Sequence, residues 1–161
     1  MLSALRPVLY VQISPDLLVV RNVKNGARIT EVPELAITAG AKRKIVAIGQ
    51  QARTAAAGQA VELVNPFAHP RTLASDFVTA EQLLKHQVRR ALGRSLFAIS
   101  PHIVIHPLGS PAGGFTQVER RAFREMAIAA GAATANVWTG RELTDQEVLA
   151  GKAPPGGGEW E

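Results

Sequence analysis

The segment HIVIHPLGSPAGGFTQVERRAFREMAIAAGA, residues 102–132, carries the strongest structural pattern in the chain. Its apolar, β-branched start at 102–106 predicts a buried strand, and a loop rich in glycine and proline follows. Thr116 and Glu119 then form the Ser/Thr-x-x-Glu pattern of a helix capping box, with Gly131 placed to end the helix. A strand, a glycine loop and a capped helix in this order make half of a βαβ unit.

Periodicity along the rest of the chain predicts further strands and helices. A long amphipathic helix is expected at 77–92, with Thr79 as its cap and Gly93 at its end. The helix after Thr116 is expected to bury residues at helical spacing: Val118, Ala122, Met126 and Ala129. The predicted strands, in chain order, are 8–13, 16–23, 27–37, 42–49, 60–67, 102–106 and 136–138, with short helices at 50–57 and after Thr144.

Two segments containing proline interrupt this pattern. Pro33 lacks the N–H that a strand needs, so the strand at 27–37 is expected to bend there. Residues 152–161 contain the run Pro-Pro-Gly-Gly-Gly, which is typical of a disordered tail.

The composition indicates a folded domain without disulfides. With 161 residues, 47% of them hydrophobic and 19% charged, the chain can bury one core and is not wholly disordered. No apolar run approaches the roughly 20 residues of a membrane-spanning helix, and the N-terminus lacks a signal-peptide pattern. The absence of cysteine excludes thiolate metal sites and a cysteine nucleophile, and it is compatible with a reducing cytoplasm.

The net charge of +5 suggests an acidic partner, although the positive residues are spread through the chain. Only Lys42–Lys44 forms a tight basic run, and aromatic residues make up 5% of the sequence. So few aromatic rings do not favour stacking of nucleic-acid bases. We therefore expect a solvated basic surface, with binding of nucleic acid or anionic membrane as the alternative.

The chain resembles a known family at several motifs. The run Thr116–Ala122, TQVERRA, is similar to the T-x-V-E-R-R-A motif of the bacterial actin homologue MreB, the family of rod-shape-determining proteins. Residues 31–37 resemble the E-P-S-V-V-A-I run of that family, 47–52 its V-G-x-E-A, and 76–81 its A-D-F-x-x-T-E. The resemblance covers roughly residues 8–140 and corresponds to the N-terminal half of an MreB.

This resemblance implies an α/β fold made of a single RNase H-like (actin-like) lobe, in which helices pack on a mixed sheet. We expect the lobe to occupy residues 1–150, with a small insertion at about 40–72. Residues 151–161 would form the disordered tail.

The resemblance also implies an ATP site, but the residues at its first phosphate-binding hairpin depart from the family pattern D-x-G-T. Gln12 is neutral where the family has the aspartate that holds Mg²⁺. Ser14 carries a Cβ where glycine lets the backbone approach phosphate, and Pro15 removes an N–H. Together these changes predict that ATP and Mg²⁺ binding is lost or very weak.

The second half of the family's nucleotide site has no counterpart here. The family continues after its last strand with an E-P-x-A-A-A-I-G run, whereas this chain reads TGRELT at 139–144. The second phosphate hairpin and the adenine pocket would then have no sequence to occupy.

By resemblance, Glu119 matches the position that positions or activates the attacking water in MreB-type ATPases. Its place in the capping box favours a structural role instead, so we expect no catalytic residue. The alternative at this position is a weak residual anion site at Gly113, Gly114 and Thr116, where a helix N-terminus presents backbone N–H groups.

No metal or nucleophile site is expected. The histidines are too dispersed for a metal site, and His106 falls at the end of a predicted strand, as a core or loop residue. Ser110 lies in a glycine loop but lacks the G-x-S-x-G pattern of a nucleophile elbow. The four histidines are His69, His86, His102 and His106.

These inferences lead to a functional hypothesis: a truncated, non-enzymatic, MreB-like protein of the bacterial cytoskeleton. It would act through protein contacts, by self-association or by modulating a full-length filament. Two alternatives remain open, a weakly ATP-binding remnant and a basic adaptor for nucleic acid or anionic membrane. The expected location is the cytoplasm, with peripheral membrane contact through residues 1–6 as an option.

Overall fold

A computed structural model describes residues 2–58, 60–68, 76–94, 99–109, 111–152 and 155–161. The elements, in chain order, are α1 (Leu2–Leu5), β1 (Val8–Ile13), β2 (Leu18–Asn22), β3 (Arg28–Glu31), β4 (Leu35–Thr38), β5 (Ile45–Ile48), α2 (Gln50–Gly58), β6 (Val61–Val64), α3 (Phe77–Leu92), β7 (His102–Pro107), α4 (Gln117–Ala129), β8 (Thr134–Gly140), α5 (Asp145–Ala150) and β9 (Gly158–Trp160).

The main sheet has six strands in the order β3-β2-β1-β7-β8-β9. Its centre is parallel, because β7 pairs in parallel with both β1 and β8, while the remaining neighbours are antiparallel. Strand β1 is buried on both faces: Leu9 and Val11 belong to the larger core cluster, and Tyr10 to a second, smaller cluster with Trp138. The predicted α/β class, a mixed sheet with helices packed on it, is confirmed.

Helices α3 and α4 lie side by side against the sheet. The N-cap of α3 is Asp76, whose carboxylate accepts the Thr79 N–H, so the prediction that Thr79 is the cap was wrong. Asp76 does the capping because Thr79 already has helical geometry, three positions inside the helix.

The apolar stripe of α4 also differs from the predicted one. The residues that α4 and its cap bury are Phe123, Met126, Ala127 and Ala130, whereas Val118 is 78% exposed. Periodicity indicates that a stripe exists, but the face that meets the sheet depends on how the helix docks. Val118 lies in the first turn, beside the capping box, and its side chain faces solvent.

The predicted single strand at 27–37 is two strands in two different sheets. Around Pro33 the chain makes a tight turn, in which Glu34 donates its N–H to the Val32 carbonyl at 2.9 Å. Beyond this turn β4 joins a second sheet, in the order β5-β4-β6, against which α2 packs. Pro33 therefore separates two sheets instead of bending one strand, because it cannot continue the ladder of β3.

The C-terminal segment is ordered where the structure describes it, contrary to the predicted disordered tail. Strand β9 pairs with β8, and the rings of Trp160 and Trp138 lie 5.0 Å apart between centroids. Val137 and Glu161 exchange two backbone hydrogen bonds of 2.8 Å. The glycine-rich run at 156–158 thus allows β9 to approach β8 closely.

Two glycines make that approach possible. Gly140 (φ +148°) and Gly158 (φ +152°) face each other in the ladder. A Cβ on Gly158 would lie 2.1 Å from the Thr139 carbonyl oxygen, a distance that no real Cβ tolerates. Any side chain at either position would separate β9 from β8.

We therefore expect Gly158→Ala to detach β9, since both the backbone conformation and the space available exclude a Cβ. Trp160 would leave Trp138, and the near-ultraviolet circular dichroism of this tryptophan pair would be lost. The matched control is Gly58→Ala, because a Cβ at Gly58 meets nothing within 4 Å. An unchanged tryptophan signal in Gly158→Ala would contradict the assignment of β9.

Candidate functional site

The candidate site is a cleft where two parallel neighbours, β1 and β7, both end. The β1–β2 turn at 14–17 follows β1, and the loop leading to α4 follows β7. Leu108 donates its N–H to the Ile13 carbonyl at 2.7 Å, which holds the start of this loop against the end of β1. In open α/β sheets, ligands bind outside the carboxyl ends of the strands, and the cleft lies at such an edge.

The cleft opens into a cavity of about 300 Å³. Its walls are largely aromatic and proline side chains, and the rings of Phe115 and Phe123 meet edge to face at 6.2 Å. None of the described residues that line it carries a charge: Ile13, Ser14, Pro15, Phe67, Pro107, Leu108, Gly109, Pro111, Phe115 and Phe123. Such a cavity suits an apolar group and offers no cation to a phosphate.

The β1–β2 turn satisfies its own hydrogen-bond donors. Ser14 donates its N–H to the Leu17 carbonyl at 2.8 Å, and its hydroxyl oxygen accepts the N–H groups of Leu17 (3.0 Å) and Asp16 (3.3 Å). Pro15 has no N–H, and its carbonyl accepts from the Asn65 amide at 2.7 Å. Every backbone donor from Ser14 to Leu17 is therefore absent or already used within the turn.

Gln12 lies on β1 next to this turn and is 7% exposed. In the parallel ladder it stands beside His106. Its neutral amide cannot supply the negative charge with which a carboxylate holds a hard cation. The structure thus places the predicted residues Gln12, Ser14 and Pro15 together, at one strand end and its turn.

The capping box predicted at Thr116 is present. Glu119 donates its N–H to the Thr116 hydroxyl at 3.2 Å, and the Glu119 carboxylate accepts the Thr116 N–H at 2.7 Å. Gly114 donates its N–H to the Pro111 carbonyl at 2.8 Å, and Gly113 is exposed. Side chains of the chain itself thus take the N–H groups of Thr116 and Glu119 at the predicted residual anion site, which stays a prediction.

The segment after β8 forms a second capping box. Thr144 donates its N–H to the Glu147 carboxylate at 2.9 Å, and Glu147 returns its own N–H to the Thr144 hydroxyl. The Arg141 guanidinium pairs with the same carboxylate and lowers the pKa of Glu147 to about 2. Residues 139–144 thus lead into a short capped helix, α5.

The histidines are dispersed in the structure, and His106 belongs to the core, one of the two places predicted for it. Leu143 donates its N–H to the Tyr10 hydroxyl at 3.1 Å, and that hydroxyl lies 2.6 Å from His106 Nδ1. His106 Nε2 lies 2.9 Å from the Gly140 carbonyl. Because that carbonyl can only accept, Nε2 carries the proton, and Tyr10 donates to Nδ1.

Burial keeps this pair neutral. Desolvation lowers the pKa of His106 and raises the pKa of Tyr10 to about 12. His102 contacts the Thr134 hydroxyl, and His86 lies on the outer face of α3. His69 and Ser110 lie outside the described residues. In the part of the chain that the structure describes, no three histidine or acidic side chains are close enough to share a metal ion.

The Tyr10–His106 contact predicts a pH dependence of stability. The pKa of His106 is lower in the folded chain than its ordinary value of 6.5, so the unfolded state binds the proton first. The free energy of unfolding should therefore fall as pH drops below about 6.5, with a slope of at most about 1.4 kcal/mol per pH unit from this group. Urea denaturation at several pH values measures this slope, which should be shallower in His106→Gln.

The control for this experiment is His86→Gln, because the pKa of His86 is also lowered but its side chain is on the surface. An equal change of slope in both variants would contradict the special role of His106.

Tyr10→Phe should also destabilise the chain, by about 1–3 kcal/mol, since the buried His106 ring and the Leu143 N–H each lose a hydrogen-bond partner.

Residues 17–142 match the MreB/Mbl protein family. The chain belongs to the MreB/Mbl family. No curated protein sequence matches it.

Solved structures of actin-like proteins share the fold of this MreB/Mbl chain. MreB5 of Spiroplasma citri bound to ADP aligns with a TM-score of 0.64 and 18% identity, over 82% of this chain and 37% of that one. A non-polymerising mutant of MamK bound to AMPPNP gives 0.65 and 17%, over 83% and 41%. The MamK double helical filament gives 0.62 and 15%, over 83% and 40%. The chain therefore spans about two fifths of the length of these structures, and the predicted actin-like lobe is confirmed.

Sequence reasoning missed two features of the site. The apolar cavity depends on Phe67 and Phe123, which lie far apart in the chain and carry no local motif. Tyr10 gave no signal either, since an aromatic residue in a buried strand is ordinary.

In the described residues, no helix combines the length and hydropathy needed to cross a bilayer.

Proposed function

We propose that this MreB/Mbl chain works as a non-enzymatic actin-like lobe that binds a protein partner. The cleft at the ends of β1 and β7 would receive an apolar side chain of that partner, in the place where a D-x-G-T turn would bind phosphate. The observation that carries the proposal is the β1–β2 turn, whose donors are all used internally.

The energetics of phosphate binding favour an apolar contact over a phosphate in the cleft. A phosphate loses its hydration on binding and needs several N–H donors or cations in exchange. The turn provides no free donor from Ser14 to Leu17, and the carboxylate of Asp16 at its tip would repel an anion. An apolar side chain needs no donor and is stabilised by leaving water for an apolar surface. The aromatic walls of the cavity provide such a surface.

The partner we propose is an MreB-type filament or a second copy of this chain. The MamK double helical filament among the similar structures supports assembly as the type of contact. Two exposed apolar residues follow cleft-lining residues closely in the chain: Leu17 comes two residues after Pro15, and Val118 three residues after Phe115. They would extend the apolar contact beyond the cavity. We place this activity in the cytoplasm.

Absence of ATP binding is the first test. Titration calorimetry with Mg-ATP should detect no saturable heat with the native chain, because the turn offers neither donors nor a metal-holding carboxylate. The comparison variant is Gln12→Asp combined with Ser14→Gly and Pro15→Thr, which restores D-x-G-T. Micromolar binding by the native chain, lost in Glu119→Ala, would replace this proposal by the alternative of a weak ATP-binding remnant.

Binding to a filament is the second test. The chain should pellet in a saturable manner with assembled full-length MreB, and Val118→Lys should reduce the pelleted fraction several-fold by placing a charge beside the cleft. The matched control is Leu149→Lys on α5, where an exposed apolar residue also becomes lysine. An equal reduction of the pelleted fraction in both variants would contradict the proposed contact. So would a pelleted fraction no larger than that of an inert protein.

The alternative of a basic adaptor rests on the net charge of +5. It predicts that the chain binds an oligonucleotide or anionic vesicles, with an affinity that falls steeply as salt is added. Residues 2–5 form the short helix α1, in which Leu5 is exposed, so vesicle binding that is lost in Leu5→Lys would assign membrane contact to this helix.

A further inference from the structure

A second groove lies away from the cleft, between the small sheet and helix α3. It encloses about 390 Å³. One wall is the whole of β5, Ile45–Ile48. The other wall is one face of α3, on which Lys85, His86 and Arg89 recur at helical spacing.

The groove runs along the edge of β5. Side chains of consecutive strand residues point to opposite faces of a sheet, so a groove that touches four residues in a row lies at the edge of the strand. Among the described residues, strand β5 pairs only with β4, and no described strand lies along its outer edge. Gly49 donates its N–H inward to the Glu34 carbonyl, so the N–H of Ile48 points out of the sheet.

The charge of the groove is positive. Lys85 and Arg89 line it, no acidic residue lines it, and neither cation has an ion-pair partner among the described residues. The neighbouring arginines are used elsewhere, since Arg90 pairs with Glu31 and Arg43 with Glu62. The lysines of the run Lys42–Lys44 add further positive charge immediately before β5.

We propose that this groove binds an extended acidic segment of a partner protein. Its backbone would pair with the free edge of β5, and its carboxylates would meet Lys85 and Arg89, as in recognition by strand addition. The proposal is independent of the cleft at β1 and β7, since the two sites share no residue.

The same features disfavour a second copy of the chain in this groove. In edge-to-edge pairing of two β5 strands, each copy would add its own Lys42–Lys44 run to an already positive edge, and positive charge beside an edge strand disfavours such pairing. An acidic chain meets attraction from the same lysines.

Fluorescence anisotropy with a labelled peptide of alternating glutamate and valine tests the proposal, with an alternating lysine and valine peptide as the probe control. The acidic peptide should bind saturably and the basic one should not. Lys85→Glu combined with Arg89→Glu should weaken binding at least roughly tenfold, the scale of losing charge-assisted contacts.

The matched control is Arg28→Glu combined with Arg121→Glu, which changes the net charge equally at exposed positions outside the groove. Two further readouts report on the groove itself. The bound peptide should slow hydrogen exchange at the Ile48 amide, and its carboxylates should raise the pKa of His86, which burial and the neighbouring arginines now lower.

Equal weakening by both charge-reversal pairs would overturn the proposal, because it would show attraction by net charge alone. Unchanged exchange at Ile48 with saturating peptide would remove the strand pairing. The groove would be assigned to nucleic acid instead if an oligothymidylate bound more tightly than the peptide and if this binding were lost in the variant that combines Lys85→Glu and Arg89→Glu.

Discussion

The parallel pairing of β1 with β7 is the constraint on which the rest of this lobe depends. It sets Gln12 beside His106 in the ladder and brings the two strand ends together. The same pairing places Tyr10 within hydrogen-bond distance of His106 and holds the loop after β7 against Ile13. The core, the buried polar contact and the cleft are therefore consequences of one strand pairing.

At the cleft, the chain satisfies backbone donors at the end of β1 with its own groups. In the β1–β2 turn, a serine hydroxyl takes the N–H groups of Asp16 and Leu17 that a phosphate would otherwise bind. At α4, the carboxylate of Glu119 accepts the Thr116 N–H in the same way. At both places, side chains of the chain itself therefore take up backbone donors.

Local patterns were sufficient for much of the secondary structure, because they depend on neighbouring residues. The capping box of Thr116 and Glu119 formed as predicted, and so did the helix closed by Gly93. Patterns that depend on docking were less reliable. The face of α4 that is buried, and the change of sheet at Pro33, follow from which element each segment meets. The C-terminal glycines gave the wrong indication, since the same residues that favour disorder also allow the close approach of Gly140 and Gly158.

The sequence by itself determined the class of fold, the family resemblance and the departures at Gln12, Ser14 and Pro15, because these are properties of residue type and spacing along the chain. The tertiary structure alone decided how the turn uses its donors, which aromatic rings enclose the cavity, and that β9 completes the sheet. Those features join residues that are distant in sequence, and their contacts arise only when the strands have paired and the helices have packed on them.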